Sequence, residues 1–353
     1  MKKTFLLTLI SVNIAYGTIA QNVNIPDANF KTYLLSQSAI NTNGDTEIQV
    51  NEASAFTGII DCEGQGISSL TGIEVFTALT ELICGNNPIT TLNVSNNTAL
   101  ERLNCENNQL TTLNVSNNTQ LKRLNCNNND LAQLNINSNI ALDNLECENN
   151  QLTSLNVSNN VQLLELYING NALTQIDVSN NTALEIFGCG ENQLTTLDVS
   201  NNTALYALGC GQNQLTQLNV KNGYNLNFLD FYAKNNPNLT CIQVDNAAYS
   251  STNWTEIDAN ASFNDNCNNS TGIENQYADI QVKAYPNPVR NILTVVGNVT
   301  FKSFQMVNML GQIIESNQVT NNKINVENID KGIYTLVLTS TEDSRTTVLI
   351  VVE

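Results

Sequence analysis

From Leu79 onward the chain copies itself every 21 residues, the copies opening at Leu79, Leu100, Leu121, Leu142, Leu163, Leu184, Leu205 and Leu226. Three of them read LERLNCENNQLTTLNVSNNTQ, LEIFGCGENQLTTLDVSNNTA and LYALGCGQNQLTQLNVKNGYN. The shared pattern is L-x-x-L-x-C-x-x-N-x-L-x-x-L-[ND]-V-S-x-N-x-x. A less regular copy, one residue longer, precedes these from about Thr57. A unit this short cannot bury its own apolar face, so the copies must stack, each covering the next. Leu, Leu and Cys at positions 1, 4 and 6 point inward from a short strand, and the second half repeats the scheme with Leu, Leu and Val. The Asn three residues after each Cys (Asn87, Asn108, Asn129, Asn150, Asn171, Asn192, Asn213) falls where the chain turns. There a stacked ladder of side-chain amides can satisfy buried backbone groups. Each copy is then two short extended segments joined by two Asn turns, with no room for a helix. Roughly nine coils at about 4.8 Å spacing give a rod on the order of 40 Å long.

These copies resemble the 21-residue, Irrekko-type class of leucine-rich repeat. The resemblance implies a mostly β solenoid over residues 57–246 with little helix. Because both faces carry similar short strands, gentler curvature is expected than in helix-backed horseshoes.

Seven of the nine cysteines (Cys62, Cys84, Cys105, Cys126, Cys147, Cys189, Cys210) lie in the inward column, where Ile168 and Phe231 take the same slot. Exchange with Ile and Phe marks an apolar filler. Stacked in-register residues also have parallel Cβ vectors, unsuited to disulfides, and a linear column cannot make a tetrahedral metal site. The other two, Cys241 and Cys267, flank the segment after the last coil and are expected to form a disulfide that closes a C-terminal cap, residues 247–267.

Composition narrows the function. Charged residues are 13% of the chain, against roughly 25% in an average protein, so Asn, Thr, Ser and Gln make the surface polar. Lys plus Arg total 14 against 32 Asp plus Glu, a net charge of −18, which disfavours nucleic acid as a partner. Histidine is absent, which excludes Ser-His-Asp and Cys-His catalysis and any His-ligated metal. Met1–Ala20 has two lysines, an apolar stretch and small residues before Gln21, the layout of a secretory signal peptide. No later segment approaches the length of a membrane span, so the mature chain is expected to be exported without a transmembrane segment.

Residues 21–56 differ from the repeats. Asp27 or Asn29 is placed to N-cap a helix carrying Phe30, Tyr33, Leu34 and Leu35. Residues 41–52 then fit an EF-hand calcium loop at its third, fifth, eighth and twelfth positions. Oxygen ligands would come from Asn41, Asn43, Asp45, the Glu47 carbonyl and Glu52. Asn41 stands where the loop has its first Asp, and Thr46 where it has Gly. Two readings stand: a weak, millimolar Ca²⁺ site, or a helix–loop–helix cap that keeps the shape without a cofactor. An EF-like cap ahead of leucine-rich repeats resembles that of the bacterial internalins.

After a polar linker (268–282) the texture changes at residue 283. Short runs of alternating Val, Ile, Leu, Thr, Tyr and Phe between Asn and Gly turns predict a small β-sandwich over 283–353. The strings Tyr285-Pro286-Asn287-Pro288, Asn308-Met309-Leu310-Gly311-Gln312 and Gly332-Ile333-Tyr334 occur in order. With them this region resembles the C-terminal sorting domain of type IX secretion substrates. The resemblance implies contact with that secretion machinery and passage through the outer membrane, often with removal of the domain and attachment to a cell-surface glycolipid. The chain as a whole looks like a secreted or surface-attached bacterial leucine-rich repeat protein.

Comparing copies within the chain locates a candidate face. Outward residues of the second segment hardly vary, whereas those of the first vary widely, as a recognition surface on a fixed frame does. Arg102, Lys122 and Arg123 form a basic cluster. Glu146, Glu148, Glu165 and Tyr167 form an acidic-aromatic patch beside it. Phe228, Asp230 and Tyr232 sit near the glycines of 188–190 and 209–211, where aromatics could stack on a sugar or anchor a peptide. The expected function is non-enzymatic binding of a protein or glycan, for adhesion or ligand capture. A passive spacer is the alternative. Hydrolysis by paired carboxylates such as Glu146 and Glu165 is disfavoured, because an open solenoid face has no closed pocket to shift a carboxylate pKa.

Overall fold

The computed structural model describes residues 21–267, 282–308, 312–341 and 345–353. The signal segment, nearly all of the linker and Met309-Leu310-Gly311 lie outside the described residues. The chain divides into two compact units, Met1–Asn269 and Ser270–Glu353.

The first unit is the solenoid. First segments of successive copies form one parallel, in-register sheet of nine three-residue strands: Ile59–Asp61, Glu81–Ile83, Arg102–Asn104, Arg123–Asn125, Asn144–Glu146, Glu165–Tyr167, Ile186–Gly188, Ala207–Gly209 and Asp230–Tyr232. The central residue of each strand is buried, as alternation along a strand requires. The second segments behave differently. A regular ladder forms there only at Thr196–Asp198, Gln217–Asn219, Cys241–Gln243 and Ser262–Asn264. Upstream, the described second segments pair only through the isolated bridge Asn114–Asn135. The expectation of two equivalent strands per copy therefore holds only near the C-terminal end.

Asparagine governs the turns. Asn108 donates to the carbonyls of Cys105 (3.0 Å), Glu106 (3.0 Å) and Cys84 of the preceding coil (3.1 Å), while its Oδ1 accepts from Ile89 N at 3.0 Å. The same bonds recur at Asn129. A second column, Asn97, Asn118, Asn139, Asn160, Asn181 and Asn202, is fully buried and bridges coils through Nδ2; Asn118 donates to Val94 O and Asn97 O at 2.9 and 2.8 Å. Cys62, Cys84, Cys105, Cys126, Cys147, Cys189 and Cys210 are free thiols inside the core, as an apolar filler should be. Burial pushes the Cys105 thiol up to about 12.

Both ends are sealed. At the N-terminus Asp27 caps the helix Ala28–Ser36, accepting from Asn29 N and Phe30 N, and its other oxygen accepts from Ser68 N, Ser68 Oγ and Ser69 N of the first coil. Burial opposes ionisation of Asp27, but these hydrogen bonds outweigh it and hold the carboxyl below its ordinary range. At the C-terminus Cys241 and Cys267 are bridged. Between them runs a helix, Ala247–Asn253, and the strand Ser262–Asn264, which pairs with Cys241–Gln243. The cap is thus a final coil that adds a strand to the solenoid.

The last copy departs from the 21-residue register. Asp230, Phe231 and Tyr232 pair with Ala207, Leu208 and Gly209, two residues later than strict periodicity places them. Leu229 is consequently 85% exposed, and Phe231 fills a leucine slot. The cysteine slot of this coil belongs to Ala233, whose carbonyl accepts from a ladder amide at Asn236. The cause is an aromatic plug: Phe231 stacks on Trp254 with ring centroids 4.4 Å apart, and Phe228 and Phe263 pack on the same indole.

The second unit is a sandwich of two antiparallel sheets. One contains Val282–Tyr285, Ile292–Gly297 and Lys323–Asn325; the other contains Ile313–Gln318, Phe301–Asn308, Gly332–Ser340 and Arg345–Val352. Leu293, Phe304, Met306, Leu336, Leu338 and Ile350 belong to its core. The family strings serve this fold. Asn287 donates to Leu349 O and accepts from Val351 N, standing in for a strand neighbour, and the Tyr334 hydroxyl donates to Asp330 O at 2.8 Å. Among the described residues, no helix is long and apolar enough to cross a membrane.

Candidate recognition face

Because the nine strands are parallel and in register, their outward residues line up in columns. One runs Glu81, Arg102, Arg123, Asn144, Glu165, Ile186, Ala207 and Asp230. The next runs Ile83, Asn104, Asn125, Glu146, Tyr167, Gly188, Gly209 and Tyr232.

The basic cluster is real but attended by acids. Arg102 and Arg123 are neighbours in the first column. Arg102 lies 3.9 Å from Glu81, Arg123 3.8 Å from Asp143, and Lys122 2.7 Å from Glu101. These pairs are exposed and screened, so they contribute little to stability and leave the side chains available.

The acidic-aromatic patch is also brought together. Glu146 and Tyr167 are adjacent in the second column, Glu165 lies beside them in the first, and Glu148 follows two residues beyond Glu146. Carboxamides hold these carboxylates. Asn144 donates to Glu165 at 2.9 Å, Asn127 to Glu146 at 3.2 Å and to Glu148 at 3.4 Å, and Asn169 also donates to Glu148. Glu106, which sequence comparison did not single out, joins the mesh by accepting from Asn125 at 3.0 Å. None of the four has an ion-pair partner among the described residues. Burial, then the charges of Glu106 and Glu148, raise the Glu146 pKa. Burial and the charges of Glu165 and Glu146 do the same for Tyr167.

The third group needs correction. Phe228 is 6% exposed and belongs to the aromatic plug, so it is no part of the surface. Its neighbours in the group are outward-facing, but shifted: Asp230 occupies the first column and Tyr232 the second. The residue two beyond Tyr232 is Lys234, which pairs with Glu256 at 2.7 Å. The register slip has a trace in the sequence: strict periodicity from Asn213 puts Lys234 in the ladder slot, whereas the ladder amide is Asn236.

The EF-like loop is closed by its own hydrogen bonds. One Glu52 oxygen accepts from Thr42 N, Thr42 Oγ1 and Asn43 N, and the other from Gln49 N. Asp45 accepts from Glu47 N, Asn43 Nδ2 and Gln49 Nε2, and Asn41 Oδ1 accepts from Gly44 N. The Glu47 side chain pairs with Lys31 at 2.7 Å. Glu52 and Asp45 are thus both turned onto the loop's own donors, and the loop closes on itself.

The fold is thus a leucine-rich repeat solenoid followed by an export domain. Residues 283–353 match the family described as the secretion system C-terminal sorting domain, which marks the chain for type IX export to the cell surface or the extracellular space. A 73-residue stretch, 21% of the chain, is 39% identical to Internalin J of Listeria monocytogenes and spans 8% of that protein's length. In structure the chain is similar to internalin C2 of Listeria monocytogenes at 18% identity, covering 60% of this chain and 96% of that one, with a TM-score of 0.52. It is also similar to the functional domain of InlJ from the same species, which includes a cysteine ladder. That similarity is at 21% identity, covering 95% and 99% of the two chains, with a TM-score of 0.25.

Proposed function

We propose that this secreted surface protein is a non-enzymatic binding protein that captures a protein or glycan on the outward face of its nine-strand sheet. The observation that carries the reading is the contrast between two sets of outward positions in the same copies. Those of the first segments run from Arg through Glu to Ile and Ala in one column and from Asn through Glu and Tyr to Gly in the next, while those of the second segments are mostly Thr or Gln, then Asn or Asp, then Ser. The recurring Asn or Asp of the second segments has a structural duty, accepting from the backbone N–H two residues on, as Asn93, Asn114 and Asn156 do; the first segments vary while keeping an unbroken ladder. The face is open, which suits binding a surface better than enclosing a reaction. The EF-like loop, on this reading, is an ion-independent clip.

An array of surface proteins and glycans, probed with the exported chain with and without Ca²⁺, tests the reading. Saturable capture lost in Arg123→Glu or Tyr232→Ala is the expected result. Absence of capture by any class would favour a spacer.

A further inference from the structure

Between Tyr167 and Tyr232 the second column is bare backbone, Gly188 and Gly209, and the positions two residues on are Gly190 and Gly211. This block of four glycines opens a depression of about 210 Å³, lined by Gly209, Gly211, Glu191, Gln212, Asn169 and Tyr232. Its parts have distinct roles. A Cβ at Gly211 would meet the Tyr232 ring at 2.2 Å, so that ring lies down over Gly211 as one wall. Asn169 accepts from Gly190 N at 2.6 Å and is held in place as the other. A Cβ at Gly209 would meet nothing within 4 Å, so Gly209 is the open floor.

Two further observations concern what the rim offers. The residue before each ladder Asn is left-handed. It is Asn86, Asn107, Asn128, Asn149 and then Gly170 in earlier coils, but Glu191 (φ 53°) and Gln212 (φ 55°) beside the depression. Left-handed backbone costs such residues about 1 kcal/mol more than it costs Gly, and Asn tolerates it better, so longer polar arms stand here against local preference. Neither side chain has a hydrogen bond or ion pair among the described residues. The charge nearby is negative: Glu191 lines the depression and is exposed, and Glu148, two coils before it, accepts from Asn169 of the wall. Among the described residues, the neighbouring cation Lys234 is already paired with Glu256.

Resting on the binding reading above, we propose that this cup takes the guanidinium of an arginine presented by a cationic peptide segment of the partner. A guanidinium is planar, so it can lie on the Tyr232 ring while presenting a fork of N–H donors to the Glu191 carboxylate and the Gln212 carbonyl oxygen. The glycine floor lets it approach the backbone. Charge complementarity selects a cation over a neutral or anionic ligand.

The test titrates the full chain with the blocked peptide Gly-Gly-Arg-Gly-Gly, its citrulline counterpart, its lysine counterpart and a neutral disaccharide, followed by NMR or calorimetry. Arginine peptide should bind, citrulline should bind at least roughly tenfold more weakly, and lysine should fall between. Gly209→Leu, whose Cβ would meet nothing within 4 Å and whose branch fills the floor, should abolish binding with an unchanged melting temperature, and Glu191→Gln should weaken it and flatten its salt dependence. Equal binding of arginine and citrulline peptides, or arginine binding indifferent to Gly209→Leu, would overturn the proposal. Disaccharide binding that Gly209→Leu abolishes would replace the occupant with a sugar. No binding of any probe would also overturn it, and capture on the array by the Gly209→Leu chain would then show that the broader binding reading survives elsewhere on the face.

Discussion

At the residue scale the molecule is built on carboxamides that replace backbone partners. Asn129 donates to three carbonyls in two coils and accepts from Leu110 N, all in the buried interior. Asn129→Ala is expected to lower stability by about 3 kcal/mol, because four backbone groups lose their partner at once; a denaturant titration checks it. The thiol column is different in kind. Cys126→Ile should be nearly neutral, since Ile168 fills the equivalent slot, whereas Cys126→Ser should cost about 2 kcal/mol for burying a hydroxyl. The seven thiols should resist iodoacetamide at neutral pH and react only on unfolding, since burial holds Cys62, Cys147 and Cys210 near 12.

At the scale of elements, the caps convert an open-ended stack into a finite one. Trp254 is the centre of the C-terminal plug, with Phe228, Phe231 and Phe263 on its faces and edges. Trp254→Ala should cost about 4 kcal/mol and uncover Phe228, Phe231 and Phe263, read as a drop in melting temperature. At the other end Glu52 joins the loop to the helix Val50–Ala55. Burial opposes its ionisation, but hydrogen bonds from Gln49, Thr42 and Asn43 outweigh it and lower its pKa. A depressed folded pKa contributes stability that is present above the ordinary carboxylate range and lost as pH falls through the folded value. Glu52→Gln should therefore melt lower than the parent at neutral pH, with the gap closing in strong acid, and Ca²⁺ should not restore it.

At the scale of the whole molecule, the proposed recognition face carries a cost of its own. The folded pKa of Glu146 is raised, so the folded state holds that proton where the unfolded chain has released it. Its contribution is present below the ordinary value of 4.5 and is lost as pH rises through the folded value. Glu146→Gln should accordingly raise the melting temperature at neutral pH and leave it unchanged in acid, a sign opposite to Glu52→Gln. Export is carried by the other unit: deletion of residues 283–353 should leave the solenoid folded, since it has its own core, but keep it from the cell surface, as cell fractionation would show.

The repeat, its asparagines and the buried cysteines were legible in the sequence, because each follows from a period that places like residues on like residues; the Cys241–Cys267 pair was legible because both stand outside that column in a chain expected to be exported. The sandwich and its export role were legible from short strings that recur in their family. Tertiary structure alone decided the rest. It turned Glu52 and Asp45 inward onto the loop's own donors, because backbone N–H groups of a tight loop lie within reach of those oxygens. It took Phe228 into the core, because the end of a stack must cover apolar surface that no further copy will bury; the two-residue slip that does so is also written in Asn236, the displaced ladder asparagine. That same slip put Tyr232 opposite Gly209 and Gly211 and so shaped the cup. Periodicity governs the interior of a stack, where every coil has two neighbours; at its end one neighbour is missing, and packing sets the register.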